Sequence, residues 1–144
     1  MKIKAFLVDD EAPFADALAE RLSMRNFAVN VAYSGKDCLE TITQTPQGTD
    51  VVVLDIQMPG ISGLDVLKEI KKINPLIQVI LLTGQATVEI AIEGMKQGAF
   101  DFLMKPTETE DLALKIQDAF AIKAAHQERI RLAEMQNIIS HRGW

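Results

Sequence analysis

Short runs of β-branched and aliphatic residues alternate along the chain with longer segments whose apolar positions recur every three or four residues. The runs fall at residues 3–8, 28–32, 51–55, 78–83 and 100–104. Between them Phe14, Leu18 and Leu22 repeat at i+4, Leu64, Leu67 and Ile70 at i+3, and Val88, Ala91, Ile92 and Met95 at mixed spacing. Each such segment reads as a helix with one apolar stripe, and the alternation predicts β-α-β units sharing a parallel sheet. The runs Val51 to Leu54 and Val79 to Leu82 are continuously apolar, as central strands covered on both faces should be. Pro13, Ser62 with Asp65, and Thr107 with Glu110 mark helix starts, the last as a capping box; Gly98 and Asn74-Pro75 mark stops.

A further helix is predicted from Glu108 to Ser140, a stretch without Pro or Gly. Leu112, Ile116, Ala119 and Phe120 would pack on the sheet. Beyond them Ile122, Ala125, Leu132, Met135 and Ile139 form a narrow stripe of roughly coiled-coil spacing, interrupted by Arg129. That stripe predicts a dimerisation segment; the alternative is a frayed or back-folded tail.

Composition narrows the class. With 144 residues, 48% hydrophobic and 24% charged, the chain has the length of one globular domain. No apolar run approaches the ~20 residues of a membrane span, and Asp9-Asp10-Glu11 interrupts any signal-peptide core, so a cytoplasmic protein without membrane contact is expected. The single cysteine, Cys38, excludes an internal disulfide. Net charge is −5, which argues against direct nucleic-acid binding. Residues 121–144 carry four basic and two acidic side chains, net +2, leaving −7 on the rest. This places a division between a domain of residues 1–121 and an extension of residues 122–144, a coiled-coil or linker segment.

Acidic residues close two of the strands: Asp9 and Asp10 follow the first and Asp55 ends the third. In a flavodoxin-like, doubly wound five-stranded sheet of order 2-1-3-4-5, flanked by five helices with the last extended, ligands bind where the strand order reverses, between strands one and three. The three carboxylates would meet there. Their mutual repulsion calls for a divalent cation, and an all-oxygen set suits Mg²⁺. Thr83 and Lys105 end the fourth and fifth strands and complete the crevice. A carboxylate nucleophile, a metal, a lysine and a hydroxyl together suit acyl-phosphate chemistry. Taken singly, an Asp-Asp pair is more often a solvated loop or cap, and Lys-Pro a turn; their joint occurrence at successive strand ends is what carries the reading.

The segments Val8-Asp9-Asp10-Glu11, Leu54 to Gly60 with Gly63, Leu82-Thr83-Gly84 and Phe102 to Pro106 resemble the signature segments of receiver domains of two-component response regulators. The similarity covers about residues 3–121. The segment from Thr87 to Lys105 looks most like receivers found on AAA+ transcription activators. The resemblance implies that Asp55 accepts a phosphoryl group from a sensor histidine kinase or phosphotransfer protein and that a conformational switch controls a partner or output domain. It implies Mg²⁺ bound directly by Asp10, through water by Asp9, and by Asp55 and the Gln57 backbone carbonyl. Thr83 and Lys105 would engage the phosphoryl oxygens, Lys105-Pro106 would be cis, and Phe102 would be the aromatic switch. Such a chain is a phosphoacceptor, not an enzyme acting on other substrates.

Phe102 lacks the hydroxyl of relatives with tyrosine there, Thr107 replaces a frequent apolar residue, and Gln57 and Gln85 occupy positions that tune dephosphorylation in the family. A cofactor-binding flavodoxin would need a Ser/Thr/Gly-rich loop where Asp9-Asp10-Glu11 stands. An aspartate-nucleophile phosphatase would need a carboxylate at position 57. The remaining alternative is a receiver-like interaction module that works without phosphorylation.

Overall fold

The computed structural model describes residues 1–84 and 87–142, with the backbone alone for 141 and 142; the expectation for Gln85 lies outside the described residues. Five strands, β1 (Ile3–Val8), β2 (Phe27–Ala32), β3 (Val51–Asp55), β4 (Gln78–Thr83) and β5 (Asp101–Met104), form one parallel sheet in the order β2-β1-β3-β4-β5. The helices are α1 (Ala12–Ser23), α2 (Gly35–Gln44), α3 (Gly63–Ile73), α4 (Val88–Lys96) and α5 (Thr109–Arg142). The expected doubly wound topology is observed, and each expected strand lies within a residue of its observed bounds.

Period-two alternation along the strands explains the continuous apolar runs. Phe6, Val8, Val52, Leu54, Val79 and Leu81 face one way, against Cys38 and Ile42 of α2, Val66, Leu67 and Ile70 of α3, and Ala91 of α4. Leu7, Val51, Val53, Ile80 and Leu82 face the other way, against Leu18 and Leu22 of α1 and Leu112, Ile116 and Ala119 of α5. Burying each such aliphatic side chain contributes roughly 1.5–3 kcal/mol. A polar residue within these runs would face one helical layer or the other, so charges are confined to the strand ends.

Local signals act where expected, with one exception. Ser62 caps α3 as expected, its hydroxyl accepting from Asp65 N (3.2 Å), and Ser34, not among the expected helix starts, caps α2 in the same way through Asp37 N (3.1 Å). Pro13 lies in the first turn of α1. α3 ends at Ile73, ahead of Asn74 in an extended conformation, and Gly98 leaves α4 with φ +106°, a conformation that favours glycine. The Thr107 capping box does not form. α5 begins at Thr109, the Glu108 carbonyl accepts its first bond from Leu112 N (3.1 Å), and the Thr107 hydroxyl is 3.4 Å from that same carbonyl. The Glu110 carboxylate is instead paired with Arg25, so it is not free to reach back to the helix start.

α5 runs unbroken for 34 residues, ~50 Å at 1.5 Å per residue, and so outreaches the sheet it packs on. Among the described residues the last buried one in α5 is Lys123, whose ammonium donates to Asp50 Oδ1 at 2.6 Å. Asp50 Oδ2 accepts from the backbone N–H of Lys4 at 2.8 Å. This buried pair fastens the helix to the end of the sheet where β3 begins. From Ile130 to Ser140 the helix is exposed, including Leu132, Met135, Ile138 and Ile139. Lys123→Met retains the aliphatic stem but leaves Asp50 without its cation, and should cost about 3–5 kcal/mol in urea unfolding. Adding Asp50→Asn, which still accepts from Lys4, should recover much of that loss.

Candidate functional site

The two buried acids of the site are placed by the sheet. Asp9 follows β1, its backbone N–H donating to Ala32 O (3.1 Å), and Asp55 ends β3 beside Leu82 of β4. Both carboxylates are almost wholly buried. Asp9 Oδ1 accepts from Glu11 N (2.9 Å) and Asp55 Oδ1 accepts from Gln57 N (3.1 Å), so each acid organises the loop that follows it. Gly63 keeps the second loop close, since a Cβ there would stand 3.0 Å from the Ile56 Cα.

Lys105 arrives from the far side of the sheet, directly after β5. Its ammonium lies 2.8 Å from Asp9 Oδ2, 3.4 Å from Asp55 Oδ2 and 3.5 Å from Glu11 Oε1, and 4.6 Å from the centre of the Phe14 ring. Its backbone N–H donates to Thr83 O at 2.8 Å, tying it to the end of β4. Lys105-Pro106 is cis. Thr83 is fully buried, and its hydroxyl meets the Gly84 carbonyl (3.0 Å) and the Thr87 hydroxyl. Phe102 is half-buried, packed against the core on the α4 side.

Among the described residues, the carboxylates that meet are Asp9, Glu11 and Asp55, with oxygens within 4.8 Å of one another. Asp10, expected beside them, is exposed and stands outside this group. The reason is local: the turn closed by Asp9 Oδ1 and Glu11 N brings Glu11 within reach of Lys105. Glu11 was legible only as part of an acidic triplet, and Thr87 only as the first residue of the segment running to Lys105.

Residues 5–117 match the response regulator receiver domain family. The chain belongs to that family. The transcriptional regulatory protein ZraR of Escherichia coli K12 is 35% identical over 119 residues, covering 83% of this chain and 26% of the relative. A response regulator receiver domain from Clostridium thermocellum superposes with a TM-score of 0.83 at 37% identity, over 85% of this chain and 98% of that one. NtrX from Brucella abortus, in complex with ADP, gives 0.82 at 30% identity, over 92% of this chain and 29% of that one. The receiver thus spans about a quarter of the length of the curated relatives it matches.

Charge in the receiver site is finely opposed. Burial pushes the Asp55 carboxyl above its ordinary pKa and the Asp9 charge adds to this, while the Gln57 N–H and Lys105 pull the other way without cancelling it. For Lys105 burial works against the charge, but the bond to Asp9 and the fields of Asp55, Asp9 and Glu11 outweigh it and raise the pKa. A carboxylate so desolvated is less stabilised than one in water and correspondingly better poised as a nucleophile.

With its native pKa raised, Asp55 binds a proton more tightly when folded than when unfolded. The cost to folding therefore grows as pH rises from the free value of ~3.9 through the native one. Without metal, Asp55→Asn should melt at a higher temperature than the parent at neutral pH. That advantage should shrink in acid and vanish below pH ~3.9, as thermal scans across pH will show.

Proposed function

We propose that Asp55 accepts a phosphoryl group from the phosphohistidine of a sensor histidine kinase or phosphotransfer protein, and that the resulting rearrangement governs an output domain or partner. The observation that carries this reading is the Lys105 ammonium lying between Asp9 and Asp55, with its backbone tied to Thr83. An Asp55 oxygen attacks phosphorus, the P–N bond breaks, and the imidazole leaves with the electron pair. Lys105 shifts its pairing from the carboxylates toward a phosphoryl oxygen, and the Thr83 hydroxyl donates to another.

The donor set suits a hard divalent cation. It is all oxygen, and the carboxylates of Asp9 and Asp55, two of its members, already lie with oxygens within 4.8 Å of each other, not far beyond the ~4.2 Å between oxygens on opposite sides of Mg²⁺. Asp9, Asp10, Asp55 and the Gln57 carbonyl would hold the ion. Asp10 gains a partner only when the cation is present, while Glu11 faces Lys105 in its absence. Bound Mg²⁺ would neutralise charge on the transferring oxygens. Phe102 is the readout: when Thr83 turns toward the phosphoryl group, the ring buries further, biasing the face made by α4, β5 and α5 between two states.

Incubation with an acyl phosphate or phosphoramidate should add one phosphoryl mass to the intact protein. Asp55→Asn or EDTA should abolish the addition; persistence in either would overturn the reading, and no addition to the parent would favour an interaction module that works without phosphorylation. Asp10→Asn should weaken Mg²⁺ binding more than Asp9→Asn or Glu11→Gln, measured by calorimetry.

The exposed far half of α5 fits a second copy of this chain. Ile122, Leu132, Met135 and Ile139 are all exposed on a helix that outreaches its domain, and a narrow stripe on such a helix is poorly stable alone. Light scattering at tens of micromolar should give a dimer mass. A chain ending at residue 127, which keeps Lys123 and its buried pair, should give a monomer.

A further inference from the structure

We infer that Thr87 is a positioning residue for Thr83, holding its hydroxyl in the resting arrangement and so setting how readily the site accepts a phosphoryl group. The inference rests on the receiver reading above and extends it to a residue outside the set Asp9, Asp10, Asp55, Thr83 and Lys105. Thr83 is fully buried and Thr87 nearly so, and their hydroxyl oxygens are in direct hydrogen-bond contact. The Thr87 oxygen also accepts from Gly84 N at 3.1 Å, and the Gly84 carbonyl is 3.0 Å from the Thr83 hydroxyl and 3.1 Å from the Thr87 hydroxyl. The backbone N–H of Thr87 donates to that same carbonyl at 3.1 Å.

The number of protons fixes the bonds of this ring. The Gly84 carbonyl has two lone pairs, one taken by Thr87 N–H and the other by a single hydroxyl. The second hydroxyl proton must then go to its neighbour's oxygen, so the Thr83–Thr87 bond forms whichever way the ring is oriented. When Thr83 turns to donate to a phosphoryl oxygen, this buried bond breaks. The Thr87 hydroxyl can still donate to the Gly84 carbonyl, so no group in the ring is stranded. With valine at position 87 the resting Thr83 would keep only the Gly84 carbonyl as partner. Gly84 is half-exposed, so water can replace Thr83 there when it leaves. Removing the Thr87 hydroxyl therefore weakens the resting state more than the engaged one. Because Thr87 immediately precedes α4, the same bond links the Thr83 side chain to the start of that helix.

The test uses beryllofluoride with Mg²⁺ as phosphoryl mimic on the full chain. Thr87→Val should bind it two- to tenfold more tightly, the range expected for loss of one buried hydrogen bond. Thr87→Ser should restore the parent affinity, and in a Thr83→Ala background Thr87→Val should have no effect. Without the mimic, the χ1 of Thr83, read from NMR couplings, should become averaged in Thr87→Val and stay fixed in Thr87→Ser. Unchanged or weaker binding in Thr87→Val, or an equal effect in the Thr83→Ala background, would overturn the inference while leaving the receiver reading standing. A parent protein that binds no beryllofluoride would overturn both.

Discussion

Like-charge repulsion at the carboxyl edge of the sheet is the constraint around which this molecule is organised. Two unit charges 4 Å apart cost about 4 kcal/mol at an effective dielectric constant of 20, and β1 and β3 deliver two nearly buried carboxylates, Asp9 and Asp55, to one crevice with Glu11 beside them. Lys105 offsets this, and it can do so only because β5 lies in register with β4 and its own N–H is bound to the Thr83 carbonyl. One ammonium facing three carboxylates leaves the crevice short of positive charge, which is the electrostatic basis of the proposed cation site.

The rest of the architecture keeps that edge in place. Apolar residues alternate to both faces of β3 and β4, so the central strands are fixed from above and below, and the charges fall at their ends. At the opposite end of the sheet the Lys123–Asp50 pair performs a separate task. It fastens α5 to the start of β3 just before the helix leaves the domain, so the direction of the projecting half is set by the same strand that presents Asp55. The site and the projecting helix are in this way joined by one strand rather than by a flexible linker.

On the α4 side the connection is by hydrogen bonds. Thr83 shares its hydroxyl with Thr87 at the start of α4 and its carbonyl with Lys105, so this one residue joins the site both to the helix and to the end of β5. Phe102 lies half-buried on the same side, and in the proposed switch its ring could bury further without stranding a polar group, because phenylalanine carries no hydroxyl that would need a partner.

The sequence alone determined the parallel sheet, because short apolar runs such as Val51 to Leu54 alternate with longer helical stripes, and the resemblance of its strand-end segments to receiver domains pointed to the family. It also determined the length of α5, since local propensity over an uninterrupted stretch suffices there. Tertiary structure decided what depends on rotation about one or two bonds or on residues far apart in the chain. An Asx-type turn at Asp9 brings Glu11, not Asp10, to Lys105. Arg25, eighty-five residues distant, draws Glu110 away from the start of α5 and the Thr107 capping box fails. Nothing local in the sequence singles out Lys123 and Asp50, which folding buries together, or Thr87, whose hydroxyl meets that of Thr83. Periodicity reports which face of an element is buried, whereas the partner of a polar group is chosen by distances that exist only once the elements have packed.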